Sequence, residues 1–357
     1  MVLLNLLKYR LIIVKRVKPI PYGGVIIPIV SLITGILLSA IILWVLVAIP
    51  PLELFSSIAH SVLSPVVLKS FIMLSLIGLA LVISFRGAVW NIGGEGQIMM
   101  GVLVSTYIAL FTALGTMPIV SKIVMVILAA IAGALWAAIA GILRAYLGVD
   151  EVPITLLMNY IAYYIIDTLV NGPWKGKHTW GYIRTDEIPR ASRFITIPGT
   201  TITVEAVILL IVVYIAAWYI LNYTSLGLRI RILGSNPDLL KSAGINVPIT
   251  IILALTISGA IAGIVGAIYL AGIIHRIPYP IEAQTANYGY TGILVAWLSM
   301  LDLRAVPIAA YIVGILEASS IRLARAAVMY IFMGTVLLTY TVTRIFSEYT
   351  IKFVKKM

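Results

Sequence analysis

The sequence predicts an all-α fold: a polytopic transmembrane helical bundle of about ten spans, with both termini inside. Three observations carry this. Apolar residues make up 62% of the 357 residues and charged residues only 11%, against about 25% charged in an ordinary soluble domain. Mean hydropathy is +1.11. The apolar residues also fall in runs close to the ~20 residues that a helix needs to cross a hydrocarbon core.

Taken in order, the chain begins with a basic segment, 1–24, that carries Lys8, Arg10, Lys15, Arg16 and Lys18 between apolar residues. No small-residue cleavage site follows it, so it reads as an amphipathic stretch on the cytoplasmic surface rather than a removable signal. The transmembrane region, 25–345, divides into apolar runs at 25–49, 65–84, 98–118, 121–143, 152–170, 204–222, 247–272, 288–300, 305–320 and 327–345. The eighth and ninth are short enough to be half-helices or a re-entrant pair. An outer loop spans 171–203, an inner loop spans 223–246, and a basic tail, 346–357, ends the chain. With the N-terminus inside, the inner segments hold the majority of the 25 Lys and Arg residues, the sign that the positive-inside rule requires.

The net charge of +12 fits membrane topology and anionic headgroups rather than nucleic acid. Cysteine is absent and the three histidines are scattered, so no thiol chemistry and no metal-ligand spacing is present. No nucleophile elbow occurs. The nearest approach to a phosphate loop, Gly172 to His178, has the wrong glycine spacing and a His where Ser or Thr is required. The chain therefore reads as a non-enzyme that binds no cofactor or metal of its own.

Two helix faces carry small residues at four-residue spacing: Gly133, Ala137 and Gly141, and later Gly259, Gly263 and Ala267. Such stripes let helix backbones approach closely in lipid, either within one subunit or across a dimer seam.

Two polar segments interrupt the apolar pattern. The first runs Phe85-Arg86-Gly87-Ala88-Val89-Trp90-Asn91-Ile92-Gly93-Gly94-Glu95-Gly96-Gln97. Polar, flexible backbone beside membrane depth is costly unless buried in protein or lining a cavity. It is therefore either a loop at the membrane surface or a re-entrant segment. Arg86 and Glu95 are candidates for an ion pair or for the polar lining of a path. Asn91, Gln97, Thr155 and Asn159 are candidates for hydrogen bonds to a solute or between helices, and Trp90 for stacking on a ring. The second segment, within 223–246, contains Gly234, Ser235, Asn236, Pro237, Asp238, Ala243 and Gly244. Asn236 suits an N-cap, Pro237 the first helical position, and Asp238 the positive end of the helix dipole. Gly244 is placed to end a helix of about two turns.

These segments resemble the permease subunits of ABC importers for nucleosides and simple sugars, a group related to branched-chain amino-acid permeases. The stretch Arg86 to Gln97 is similar to that family's arginine-to-glutamine signature. Glu151 to Ile161 is similar to a second signature, with Pro153 a departure. Gly172-Pro173-Trp174-Lys175 resembles the loop that follows, the segment 227–247 the coupling loop, and Tyr288 to Leu298 a late glycine-rich span. Length and basic N-terminus look most like the larger of two permeases that pair in nucleoside importers. The resemblance implies a cell-membrane permease that pairs with an identical or related permease. A cytosolic ABC ATPase, which handles ATP and magnesium, would dock on the coupling residues, and an extracellular substrate-binding protein would deliver the small-molecule substrate. Branched-chain amino acids are the alternative cargo within the family. Outside it, the competing classes are an ion-gradient-driven secondary transporter, which the scarcity of mid-span carboxylates disfavours, and a membrane enzyme.

Overall fold

The computed structural model describes residues 3–6, 9–16, 22–177 and 181–355. Lys8, Lys18, His178 and Lys356 from the sequence reading lie outside the described residues. The described chain is helical apart from three short strands. Eight of its helices are long and apolar enough to cross a membrane.

The chain divides into two compact units, 1–62 with 315–357, and 63–314. In the first, β1 (Leu3–Leu6) and β2 (Tyr9–Lys15) form an antiparallel pair, and α1 (Gly23–Val47) and α2 (Pro51–Ser61) follow. The basic N-terminal segment is thus, in its described part, two strands. Its run of Tyr, Leu, Ile and Val favours extended backbone. The helix α2 was not foreseen. It begins at Pro51, where proline costs no hydrogen bond, and its one acid, Glu53, sits in the first turn.

The second unit is a bundle. It contains α3 (Pro65–Arg86), α4 (Gly94–Phe111), α5 (Pro118–Leu147), α6 (Glu151–Asn171), α7 (Val204–Tyr223), α8 (Ser225–Ser235), α9 (Pro237–Ser242), α10 (Val247–Tyr269) and α11 (Tyr288–Leu298). A π-type turn, Leu270–Ile274, extends α10. α12 (Val306–Arg322) runs from this unit into the first, where α13 (Ala326–Glu348) and the strand β3 (Tyr349–Lys355) complete the chain. β3 pairs antiparallel with β2, from Tyr9 opposite Lys355 to Lys15 opposite Tyr349. Within the first unit α1 packs on α13, where Ser39 and Thr335 share a 2.6 Å hydrogen bond and Thr339 donates to the carbonyl of Ser31.

The span boundaries follow the apolar runs closely, with one informative exception. The third span begins at Gly94 rather than Ile98, so the second half of the polar signature is helix. The short eighth and ninth runs are α11, at 11 residues, and α12, at 17.

Helices α3, α4 and α10 are mostly buried, while α5, α6 and α7 present most of their surface outward. Hydropathy does not separate the two groups, because lipid and protein interior are equally apolar. Packing partners decide burial, and small residues set how closely two backbones approach. The stripe on α5 meets the stripe on α10: a Cβ at Gly133 would overlap the carbonyl of Gly259, and one at Gly263 would overlap that of Ala129. The small-residue faces are therefore a seam inside one subunit.

Candidate functional site

The polar signature is a re-entrant segment. α3 ends at Arg86, and the chain turns back through Gly87–Gly93 into the bundle before α4 begins. Val89, Asn91, Glu95 and Gln97 are each at most 1% exposed. The Asn91 amide donates to Ser258, near the middle of α10, at 2.9 Å, which places this backbone at depth.

The side-chain polar groups of Asn91, Glu95 and Gln97 all have protein partners. Asn91 and Gln97 exchange two amide hydrogen bonds, 2.9 and 2.8 Å, and Asn91 Oδ1 also accepts the N–H of Gly93. The neighbouring helix α6 answers part of the main chain. Thr155 Oγ1 accepts the N–H of Ile92 at 3.2 Å. Asn159 Oδ1 accepts the N–H of Gly96 at 2.8 Å, while its amide donates to the carbonyl of Ile92 and to the hydroxyl of Tyr290. Buried backbone groups without partners cost several kcal/mol each in an apolar medium, on the order of the cyclohexane transfer values. Thr155 and Asn159 thus act as substitute main chain for a stretch that has left the helix.

Arg86 and Glu95 do not pair with each other. Arg86 Nε donates to the carbonyl of Leu301 at 2.7 Å and its guanidinium lies 3.9 Å from Asp302. Glu95 faces the other way: it accepts the hydroxyl of Thr285 at 2.5 Å and the N–H of Gly289 at 2.7 Å. Gly289 lies in the first turn of α11, whose leading N–H groups have no intrahelical partners. Glu95 fills that vacancy as a distant N-cap. Residues 275–287 descend from the end of α10 into the bundle, with the N–H of Ile281 held by Asp167 at 2.9 Å, so α11 is a half-helix that starts at depth. Trp90 stacks on Trp297 at 5.2 Å and meets Phe85 edge-on at 5.1 Å.

Sequence reasoning missed Glu151 as a partner of this segment. It is fully buried, accepts the N–H of Trp90 at 2.9 Å and is ion-paired with Arg144. An acid opening a span seven residues after an arginine that closes the previous one was the available signal. Ser258, Thr285 and Gly289 carried no signal at all, because only the tertiary fold brings them to Asn91 and Glu95.

The 223–246 loop forms two helices. Asn236 caps α9, its Oδ1 accepting the N–H of Leu239 at 3.3 Å, and Pro237 occupies the first position. Asp238 is 3.2 Å from Lys241, Ala243 is the C-cap, and Gly244 follows at φ 71°, a left-handed geometry that glycine adopts without strain. The preceding helix α8, which was not foreseen, ends at Ser235. Its Gly234 lies flat against the turn after α3: a Cβ there would overlap the carbonyl oxygen of Arg86. Gly234 and the start of the 86–97 segment are thus in direct contact.

At the opposite end of the bundle, the 171–203 loop is not a merely solvated face. It is tied to 271–279 by the N–H groups of Thr185, Ile188 and Phe194, which bond the carbonyls of Ile277, His275 and Ala271. Trp174 stacks there on Tyr107 and packs against Phe111 at 5.1 Å. Arg193 and Arg276 both pair with Glu187, at 2.7 and 3.3 Å, and hold its carboxyl below the usual range, Arg193 contributing most. Burial, aided by Arg193, depresses the pKa of His275.

Comparison with known proteins fits this geometry. Residues 66–341 match the family described as branched-chain amino acid transport system / permease component. The chain belongs to this permease family. The permease is 28% identical over 307 residues to a glucose ABC transporter permease protein of Haloferax volcanii, covering 80% of this chain and 77% of that one. It is 27% identical to a guanosine ABC transporter permease protein of Bacillus subtilis, with 78% and 79% covered. It is 29% identical to a nucleoside ABC transporter permease protein of Lactococcus lactis, with 77% and 78% covered. No solved structure gives a significant match. The permease is thus a multi-pass membrane subunit of an ABC transporter and not itself an enzyme. ATP hydrolysis resides on a separate subunit, and the ion-gradient alternative falls away. An ATPase and a substrate-binding protein are the partners the family implies.

Proposed function

We propose that this permease forms the translocation path of an importer of nucleosides or simple sugars, paired with an identical or related permease and driven by a cytosolic ATPase that docks on α8 and α9. The observation that carries the reading is the contact of Gly234 with the carbonyl of Arg86. A displacement of the docking helices is delivered without slack to the re-entrant segment and, through Glu95, to the half-helix α11. Closing of the ATPases would move the coupling helices and switch the side to which the path opens. Arg86, Trp90, Asn91, Glu95, Gln97, Thr155 and Asn159 frame that path, and their bonds within the bundle are the contacts exchanged as it opens. Both termini lie inside in this reading, and the permease itself needs no cofactor. The cargo class rests on the relatives, which are named for guanosine, nucleosides and glucose.

Reconstitution in vesicles with its ATPase and binding protein tests this. Uptake of labelled nucleosides or glucose should require ATP and be indifferent to an uncoupler. Uptake that survives ATP depletion but collapses with the uncoupler would overturn the mechanism. Uptake of leucine in place of nucleosides or sugars would overturn the cargo.

A further inference from the structure

At the end of the bundle away from α8 and α9, residues 182–184 and 274–284 enclose a cavity of about 350 Å³. Its walls are held by main-chain bonds. The N–H of Tyr279 donates to the carbonyl of Ile183 at 3.1 Å, that of Thr185 to Ile277 at 3.0 Å, and Thr185 Oγ1 accepts the N–H of Ile277 at 2.9 Å. The site is therefore pre-formed.

Two guanidinium groups line it, those of Arg184 and Arg276. Arg276 is paired with Glu187, which Arg193 also claims. Arg184 makes no ion pair among the described residues, and its Nε is shielded from solvent with no hydrogen-bond partner. With Arg276 already claimed by Glu187, the Arg184 guanidinium is the cavity cation that lacks a counter-charge among the described residues, and an oxyanion in the cavity would supply one. A guanidinium fork matches the geometry of carboxylate and phosphate oxygens. Two aromatic rings, Tyr182 and Tyr279, line the same cavity, and neither makes a ring contact among the described residues. Gln284 adds an amide whose N–H holds the carbonyl of Tyr279 at 3.1 Å. Exposed tyrosine faces beside an oxyanion fork suit a flat ring that bears a negative group, and the volume falls within the range of small-molecule sites.

We propose that this cavity is a binding site for an aromatic small molecule carrying a phosphate or carboxylate. The lining shares no residue with the path proposed at 86–97, 155 and 159, and nucleosides and simple sugars bring no negative group to the fork, so the site does not rest on the cargo assignment.

The test uses the full-length permease in phosphatidylcholine nanodiscs, titrated with guanosine 5′-monophosphate, guanosine, benzoate and inorganic phosphate by calorimetry. The monophosphate and benzoate should bind saturably, and the monophosphate at least about tenfold more tightly than guanosine or inorganic phosphate, the scale of one added charge-assisted contact or one stacked ring. Arg184→Gln should weaken the monophosphate on the order of tenfold or more. Because the Arg184 side chain has no partner to lose among the described residues, the melt of this variant should not fall below that of the parent. Arg184→Lys, which keeps the charge and loses the fork, should fall between. Absence of saturable monophosphate binding, equal binding of inorganic phosphate, or unchanged affinity in Arg184→Gln would overturn the proposal. Uptake of neutral cargo is read in parallel. Its failure in the parent protein would count against the transport function and leave this site standing.

Discussion

The carboxylate of Glu95, in the first turn of α4, accepts the main-chain N–H of Gly289, in the first turn of α11, at 2.7 Å. Two helices that both begin at depth are thereby joined by one acid, which serves the second as an N-cap supplied from 194 residues away.

Glu95→Ala should leave the N–H of Gly289 and the hydroxyl of Thr285 without their acceptor. The expected cost is about 1–3 kcal/mol, the range for leaving a buried polar group without its partner. It should appear as a lowered melting temperature in detergent and a large loss of uptake. Glu95→Gln retains an acceptor and should lose less of both. Equal stability of the Ala variant and the parent would remove Glu95 from the role assigned here.

Gly234→Ala should act on coupling rather than on folding of the whole chain. The added Cβ would collide with the carbonyl of Arg86, and α8 or the re-entrant turn must shift to admit it. The expected result is a permease present at normal level whose ATPase partner hydrolyses ATP with little uptake. Gly244→Val, strained at φ 71°, should uncouple more weakly, since it lies beyond the contact and costs about 1–2 kcal/mol of local strain.

Gly263→Val should prevent assembly of the bundle. The position abuts the carbonyl of Ala129 and the backbone of Gly133, and two helix backbones cannot separate there without losing the α5–α10 seam. Loss of folded protein on size-exclusion chromatography is the expected readout, and the lipid-facing Ile139→Val should serve as a near-neutral control.

Acidification should loosen the 171–203 cap. Burial and the nearby Arg193 depress the pKa of His275, so the unfolded or opened form takes up a proton more readily than the closed one. Stability is then full above the ordinary histidine pKa of about 6.5 and declines as pH falls through it. Glu187, held low chiefly by Arg193, adds stability that is lost only at lower pH, as its carboxyl is protonated in the closed form. Protection factors of residues 185–195 in hydrogen exchange, corrected for the intrinsic pH dependence, should fall between pH 7.5 and 5.5, and His275→Gln should flatten that dependence.

The sequence by itself determined the class, the spans and the local caps. A run of ~20 apolar residues in a membrane must close its own backbone hydrogen bonds, and only a helix does so locally. The ends of α1, α3, α6, α7 and α10 are therefore legible from composition alone. The helix α9 was legible for a related reason, since Asn236, Pro237 and Gly244 act on backbone groups within a few residues of themselves. The depth of the 86–97 segment was not legible. Its glycines and amides suit a surface loop equally well, and what holds it inside is Thr155 and Asn159 on α6, Ser258 on α10, and Glu151. Nor was the partner of Glu95 legible, because Arg86 is near in sequence while Gly289 is near only in space. Tertiary structure decided these points because a buried polar group must find a partner wherever the fold supplies one, and sequence separation does not constrain that choice.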